Sequence, residues 1–363
     1  MRGHALAPSR ARLVRQQRNR AAGLPSQHLR ARRPGGILPA STLEPRRGPT
    51  RLPHLWRAVQ EEVELRDVDT PQPKVALTNA RDLSEACQAI KPGLLFRTAN
   101  PFLATPCAIP AKGHIHLLDL RHPEEYERDD MSRWRHLVAT ERVFSRTADG
   151  RSLQAQERHS AVMPADQSMA LNRISVLDRE RIQKGLLFRK MGFWISCKVL
   201  FWMMFDIARM QALVVREINA GGLKMLYELI IDTSAAELVG ALNVVLKGVE
   251  AGQPVVFFCK LGKDRTGLVA ALILSIMGAR DVAIVLDYAK SDGKGRAGLG
   301  DLDDKREVDG IDRRQFSRAP AAAMLSSLNY IARKYGSVAA YLTKAGFGPD
   351  KQRRLQAALK ADA

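Results

Sequence analysis

An α/β fold, with a central and mostly parallel sheet flanked by helices, is predicted by three observations. Val255-Val256-Phe257-Phe258 is a continuous apolar run of the kind that a strand buried on both faces requires. A polar loop follows it, and then Thr266 to Met277 reads as an apolar helix ended by Gly278. Gly113 to Arg121 (GHIHLLDLR) supplies another buried strand, running into a loop at Asp119.

The other elements follow in chain order. Residues 1–58 hold thirteen Arg, no Lys and a single acid, Glu44, while Pro25, Pro34, Pro39, Pro45, Pro49 and Pro53 exclude regular structure. Two readings stay open for this segment. It shares the Arg-bearing, acid-poor composition of a transit peptide, which implies a plastid or mitochondrion, and equally that of a disordered basic tail on a cytoplasmic protein. Folding should start near Trp56, giving one domain over residues 59–363. Residues 123–175 are charged and poor in branched apolar side chains, so they read as an insertion outside the core.

Phe193 to Val215 has a helical pattern, Gly221-Gly222 breaks it, and Leu223 to Ile231 resumes it. Ser234, with Glu237 three residues on, has the capping-box spacing for a helix over Ala235 to Glu250. The tail from Ala319 to Ala361 is helical, with breaks at Tyr335-Gly336 and around Gly346, Gly348 and Pro349; its Met324, Leu328 and Ile331 stripe reads as core. The run Gly192 to Phe205 (GFWISCKVLFWMMF) is interrupted by Lys198 and closed by Asp206, well short of the roughly 20 residues that cross a bilayer, so no transmembrane span is expected.

The formal charge is +19, but most of it sits in the first 58 residues, and no motif for reading bases or grooves is present. A nucleic-acid partner is therefore not expected; the modest positive balance of the remainder suits an anionic substrate. Cys87, Cys107, Cys197 and Cys259 are widely spaced and, like His114, His116 and His159, show no metal-ligand spacing. A reducing compartment and no cofactor are the expectations.

The chemistry is concentrated in Cys259-Lys260-Leu261-Gly262-Lys263-Asp264-Arg265-Thr266-Gly267. A cysteine, five residues and an arginine at a strand-to-helix turn allow successive backbone N–H groups to curl around a tetrahedral dianion, with a helix N-terminus behind them. The same field favours a thiolate at Cys259, and Arg265 can grip two phosphate oxygens as a fork. Residues 260–266 are the expected phosphate-binding set, Gly262 giving the turn its freedom and Thr266 a hydroxyl for the departing thiolate.

Val255 to Gly267 resembles the active-site signature of protein tyrosine phosphatases, and GKDRTG is similar to the tyrosine/serine branch that includes bacterial lipid and protein phosphatases and their plant and algal relatives. Asn79-Ala80-Arg81-Asp82-Leu83, Gly93 to Ala99, Leu118 to Glu124, Asp287-Tyr288 and Lys334 to Leu342 resemble further elements of that branch, so the likeness covers roughly residues 75–357 with the middle stretch unmatched. It implies a phosphoric monoester hydrolase working through a phosphocysteine on a phosphoprotein substrate. Lys260 and Lys263 are similar to the paired lysines of phosphoinositide phosphatases related to tensin, which makes phosphoinositides the alternative substrate.

Further roles are expected of particular residues, that of Asp264 being implied by the resemblance. Asp264 is the candidate general acid or else a brace for the loop; Asp178 and Asp232 are alternative acids. Glu124 is a candidate partner for Arg265, while Arg97, Asp119 and Arg121 are expected to tie strands together. Cys87, Cys107 and Cys197 read as apolar fillers. Phe193–Phe205 is expected as a core helix or a lid over the site, ahead of peripheral contact with a membrane. Phe258 stands where the family usually has His, so a weak or inactive phosphate-binding protein is the second functional expectation.

Overall fold

The computed structural model describes residues 77–127, 129–160, 168–294 and 312–361. The Arg-rich segment 1–58 and the expected start at Trp56 lie outside the described residues. Seven strands form one sheet: β1 (Arg81–Asp82), β2 (Leu95–Thr98), β3 (His114–Asp119), β4 (Val138–Arg146), β5 (Leu153–His159), β6 (Ser168–Ile174) and β7 (Val255–Phe258). Their order is β1-β2-β7-β3-β6-β4-β5. The four inner pairings are parallel and the two outer ones, β1 with β2 and β4 with β5, are antiparallel. The sheet is mixed, and mostly parallel as expected.

β7 lies inside the sheet between β2 and β3, and every one of its side chains is buried. Val255 and Phe257 face one apolar cluster and Val256 and Phe258 the other, the alternation that a pleated strand imposes. Each such side chain contributes about 1.5–3 kcal/mol by leaving water. Registry aligns Thr98 of β2 and Asp119 of β3 with Phe258, so three parallel strands end level at the point where the Cys259 loop begins. Ligands of open α/β sheets bind beyond those carboxyl ends.

Helices follow in the order α1 (Pro123–Tyr126), α2 (Arg179–Gly185), α3 (Phe193–Phe205), α4 (Ile207–Thr233), α5 (Ala235–Glu250), α6 (Asp264–Ile276), α7 (Asp281–Ala289), α8 (Arg313–Ser317), α9 (Ala321–Tyr335), α10 (Val338–Ala345) and α11 (Pro349–Leu359). Gly222 interrupts α4 with φ 52° and ψ −156°, where the glycine pair predicts a break. Met324, Leu328 and Ile331 of α9 are buried in the larger cluster.

Four expectations need correction. Residues 123–175 are not outside the core: they supply α1, β4, β5 and β6. The sequence hides β6 (SMALNRI) because Asn172 and Arg173 are buried on it, their polarity satisfied by Ala170 O at 3.0 Å and by Glu141 at 2.7 Å. Ser234 precedes α5 but forms no capping bond; Glu237 turns away and is buried in a clamp with Arg146 and Arg181. Among the remaining cysteines Cys107 and Cys197 are exposed rather than filling a core. Finally α3 is not a core helix, since only Val199 on it is buried and most of its large apolar side chains face solvent.

Candidate active site

The loop that leaves β7 is braced from outside through its carbonyl groups. Lys260 O accepts the Asn100 N–H at 3.1 Å. The Asn79 amide donates to Leu261 O at 3.0 Å and to Gly262 O at 3.1 Å, and Arg97 Nη2 donates to Gly262 O at 2.9 Å. In a trans peptide the carbonyl and the following N–H point in opposite directions. Outward carbonyls at 260, 261 and 262 therefore turn the N–H groups of Leu261, Gly262 and Lys263 to the other side of the loop. Gly262 has φ +64°, and a Cβ there would stand 2.4 Å from Thr98 O. Only glycine fits.

The brace is itself held by a buried charge cluster. Arg81 Nη1 donates to Asn79 Oδ1 at 2.6 Å, and Arg81 Nε to Asp287 Oδ1 at 2.7 Å. Arg97 Nη1 donates to the other Asp287 oxygen. Burial pushes the Asp287 carboxyl up, but Arg97 and Arg81 outweigh it and hold it below its ordinary value. For Arg97 burial dominates and lowers its pKa, against the Asp287 charge that favours the cation. Asn79 adopts φ 55°, a left-handed conformation that asparagine tolerates. These residues matched the family-like stretches, but their joint purpose was not legible before β1, β2 and α7 were brought together.

Cys259 is buried at the end of β7, and α6 starts at Asp264, so the helix N-terminus backs the loop. Arg265 is clamped by Glu125, not by Glu124 as the sequence suggested. Arg265 Nη2 donates to Glu125 Oε1 at 2.6 Å and Nη1 to Oε2. Glu125 is fixed in turn by a capping box at α1, accepting the His122 N–H at 2.7 Å. Burial raises the Glu125 carboxyl, and Arg265, the His122 N–H and Arg121 together overcome this and leave it below its ordinary value. Glu125 uses one N–H from each terminal nitrogen of a guanidinium that carries five.

Asp264 lies in the first turn of α6 with Lys263 Nζ 3.5 Å from Oδ2. Its Oδ1 accepts from Tyr227 of α4, whose hydroxyl is 2.6 Å from that of Tyr288. Burial and the Asp264 charge push the Tyr227 phenol well above its ordinary value, so it stays a donor. The alternative acids are employed elsewhere. Asp178 accepts the Arg181 N–H at 2.9 Å at the start of α2, and Asp232 holds Tyr330 at 2.6 Å and Lys334 at 2.6 Å.

The two lysines of the loop differ. Lys263 is buried and its ammonium donates to Phe316 O at 2.6 Å and Arg318 O at 3.0 Å, tying the loop to the segment before α9. Its charge is thereby committed to those two carbonyls and to Asp264. Lys260 is half-buried in the turn after Cys259. Thr266 is buried, and its Oγ1 finds no acceptor or donor among the described residues. Phe258 belongs to the opposite face, edge-on to Phe102 at 5.5 Å and with the Arg121 guanidinium 5.5 Å from its ring centre. Arg121 is anchored by Asp119 at 2.8 Å and Asp129 at 2.5 Å. Arg97, expected only to join strands, acts on the loop itself. Among the described residues no group of three or more His, Cys, Asp or Glu side chains gathers as metal ligands.

A buried cysteine at the carboxyl end of a parallel strand, followed by a glutamate-clamped arginine in the first turn of the next helix, points to a class. Residues 74–361 match the tyrosine phosphatase family, and the chain belongs to that family. Over 133 residues it is 31% identical to the triple specificity protein phosphatase PtpB of Mycobacterium tuberculosis. That alignment covers 33% of this chain and 48% of PtpB, so the chain spans about half the length of this relative.

Proposed function

We propose that the protein is a cysteine-dependent phosphatase that hydrolyses phosphomonoesters through a phosphocysteine intermediate, with phosphorylated protein side chains as its substrates. The observation that carries this reading is the loop whose three carbonyls are bound outward while Arg265 is held in a fork by Glu125.

In the first step the Cys259 thiolate attacks phosphorus; the S–P bond forms as the ester P–O bond breaks, and Asp264 gives a proton to the leaving oxygen. Arg265 and the inward N–H groups take up the charge on the three equatorial oxygens. In the second step water attacks phosphorus, its proton passes to the Asp264 carboxylate, the S–P bond breaks, and inorganic phosphate leaves. The Thr266 hydroxyl, buried beside the loop, then stabilises the returning thiolate.

Phosphoinositides are the second reading, favoured by Lys260 beside the nucleophile and weakened by the commitment of Lys263 to Phe316 and Arg318. Hydrolysis of an aryl phosphate in the presence of a chelator tests the reaction. Cys259→Ser should lower turnover at least about a thousandfold; a mutant as active as the parent overturns the assignment, and phosphate binding without turnover by the parent leaves only a binding protein. A parallel panel of phosphopeptides and phosphoinositides decides the substrate class.

A further inference from the structure

Helix α3 is apolar on all sides but buried on one. At about 100° per residue, Phe193, Trp194, Cys197, Leu200, Phe201, Met204 and Phe205 fall on one contiguous arc of about 140°, and all of them are exposed. Trp194 is 77% and Met204 78% exposed, while Val199 on the far side is 2% exposed. The exposed rings touch each other, Phe193 with Trp194 at 5.5 Å and Phe201 with Phe205 at 4.7 Å. Ile207 continues the patch onto α4, against which α3 packs. Contiguous apolar surface of this size marks a docking site.

Lys198 on α3 and Arg209, whose guanidinium lies 4.8 Å from the Trp202 ring centre, border the patch, and the neighbouring sequence is basic. Between residues 184 and 224 the chain carries seven basic residues against two acids, Asp206 and Glu217. Lys184, Lys198, Arg209, Arg216 and Lys224 are exposed, and both acids are already paired, with Arg209 at 3.2 Å and Arg216 at 3.0 Å. A second copy of this chain, seated by symmetry, would press one cationic rim against another. An anionic bilayer offers acyl chains for the arc and lipid phosphates or carboxylates for the rim. α3 has 13 residues and is too short to span, and among the described residues no single helix is long and apolar enough to cross a membrane.

We infer that α3 is an interfacial anchor that lies in the plane of an anionic lipid surface, its Phe193, Trp194, Phe201, Met204 and Phe205 face among the acyl chains. α4, which packs against α3, continues beyond its break at Gly222 into the stretch that carries Tyr227 to Asp264. A docked molecule thus has its phosphate loop tied to the membrane surface, where phosphorylated lipids and membrane-protein tails are found. The anchor does not depend on the proposed catalysis, since binding can be measured without turnover.

The test is sedimentation of the full chain with phosphatidylcholine vesicles, with and without about 30% phosphatidylserine, using wild type, Cys259→Ser, Trp194→Ser/Phe205→Ser and Lys198→Glu. Wild type and Cys259→Ser should bind the anionic vesicles alike. The double variant should lose at least about tenfold in partitioning, with unchanged melting temperature and unchanged aryl phosphate turnover. Lys198→Glu should weaken binding by severalfold. Tryptophan emission should shift to the blue on binding and be quenched by brominated acyl chains. Equal binding by the double variant would assign attachment to the Arg-rich segment 1–58 and overturn the proposal. A dimer dissolved by the same substitutions, with no vesicle binding, would overturn it in favour of self-association.

Discussion

Glu125 faces Arg265 edge to edge, each carboxylate oxygen accepting one N–H, with Arg265 Nη2 at 2.6 Å from Oε1. The pair fixes where the Arg265 guanidinium points. Glu125→Gln keeps the shape but replaces one acceptor with a donor facing another donor. Turnover of an aryl phosphate should fall roughly tenfold to a hundredfold, whereas Glu124→Gln should change it less than about twofold. Steady-state kinetics on the two variants checks this.

The same pair, with Asp287, should contribute to the loss of stability in acid. Both carboxyls lie below their ordinary values in the folded protein, 4.5 for Glu125 and 3.8 for Asp287. A depressed folded value means that the stabilisation is fully present above the ordinary value and is lost as pH falls through the folded one. Melting temperature should therefore be flat with respect to these groups above about pH 5 and decline below it. Asp287→Asn, which leaves Arg81 and Arg97 buried without their anion, should cost about 3–5 kcal/mol at neutral pH and flatten the acid decline. Thermal melts from pH 3 to 7 measure both effects.

Gly262 and Gly278 make a matched comparison. Both have positive φ, +64° and +78°, but a Cβ at 262 would meet the Thr98 backbone at 2.4 Å, whereas at 278 nothing lies within 4 Å. Gly278→Ala should cost only the left-handed penalty of about 1–2 kcal/mol and leave turnover intact. Gly262→Ala must push the loop off β2, so activity should be lost along with stability. Equal effects would mean that the loop is more yielding than its contacts imply.

Part of this design is legible in one dimension. Val255 to Phe258 announces a strand inside the sheet because burial on both faces demands an unbroken apolar run, and the polar loop before Thr266 announces a strand-to-helix turn because both features are local. What sits across the fold is not. Glu124 and Glu125 are neighbours in sequence, but they point about 100° apart on α1, and only the position of α6 decides which one meets Arg265. β6 is masked by Asn172 and Arg173, whose bonds to Ala170 and Glu141 make their burial tolerable. α3 fails for the opposite reason: its composition is that of a core helix, and no local signal tells which apolar face the rest of the protein leaves uncovered.

Lys260 and Lys263 should separate in the same way. Lys263→Met removes the tie to Phe316 and Arg318, so it should lower the melting temperature by several degrees and turnover with it, without regard to how many phosphates the substrate carries. Lys260→Ala should raise KM roughly threefold to tenfold, most for multiply phosphorylated headgroups. Melting curves alongside KM for a mono- and a trisphosphate substrate distinguish the two. A Lys263 variant that loses affinity but not stability would put its ammonium at the phosphate.

The role of Asp264 can be read from the leaving group. A general acid matters in proportion to how poorly the departing oxygen carries negative charge. An alkoxide from phosphoserine needs a proton in the transition state, and a nitrophenolate does not. Asp264→Asn, which can still accept from Tyr227 through its amide oxygen, should therefore cost at least about a hundredfold on a phosphoserine peptide and less than about tenfold on nitrophenyl phosphate. Asp178→Asn and Asp232→Asn serve as controls, because their bonds are to Arg181 and to the Tyr330 and Lys334 pair rather than to the loop. Neither should show any dependence on leaving group. If Asp264→Asn slows both substrates equally, the carboxylate braces the turn through Tyr227, and the proton must come from a group outside residues 259–267.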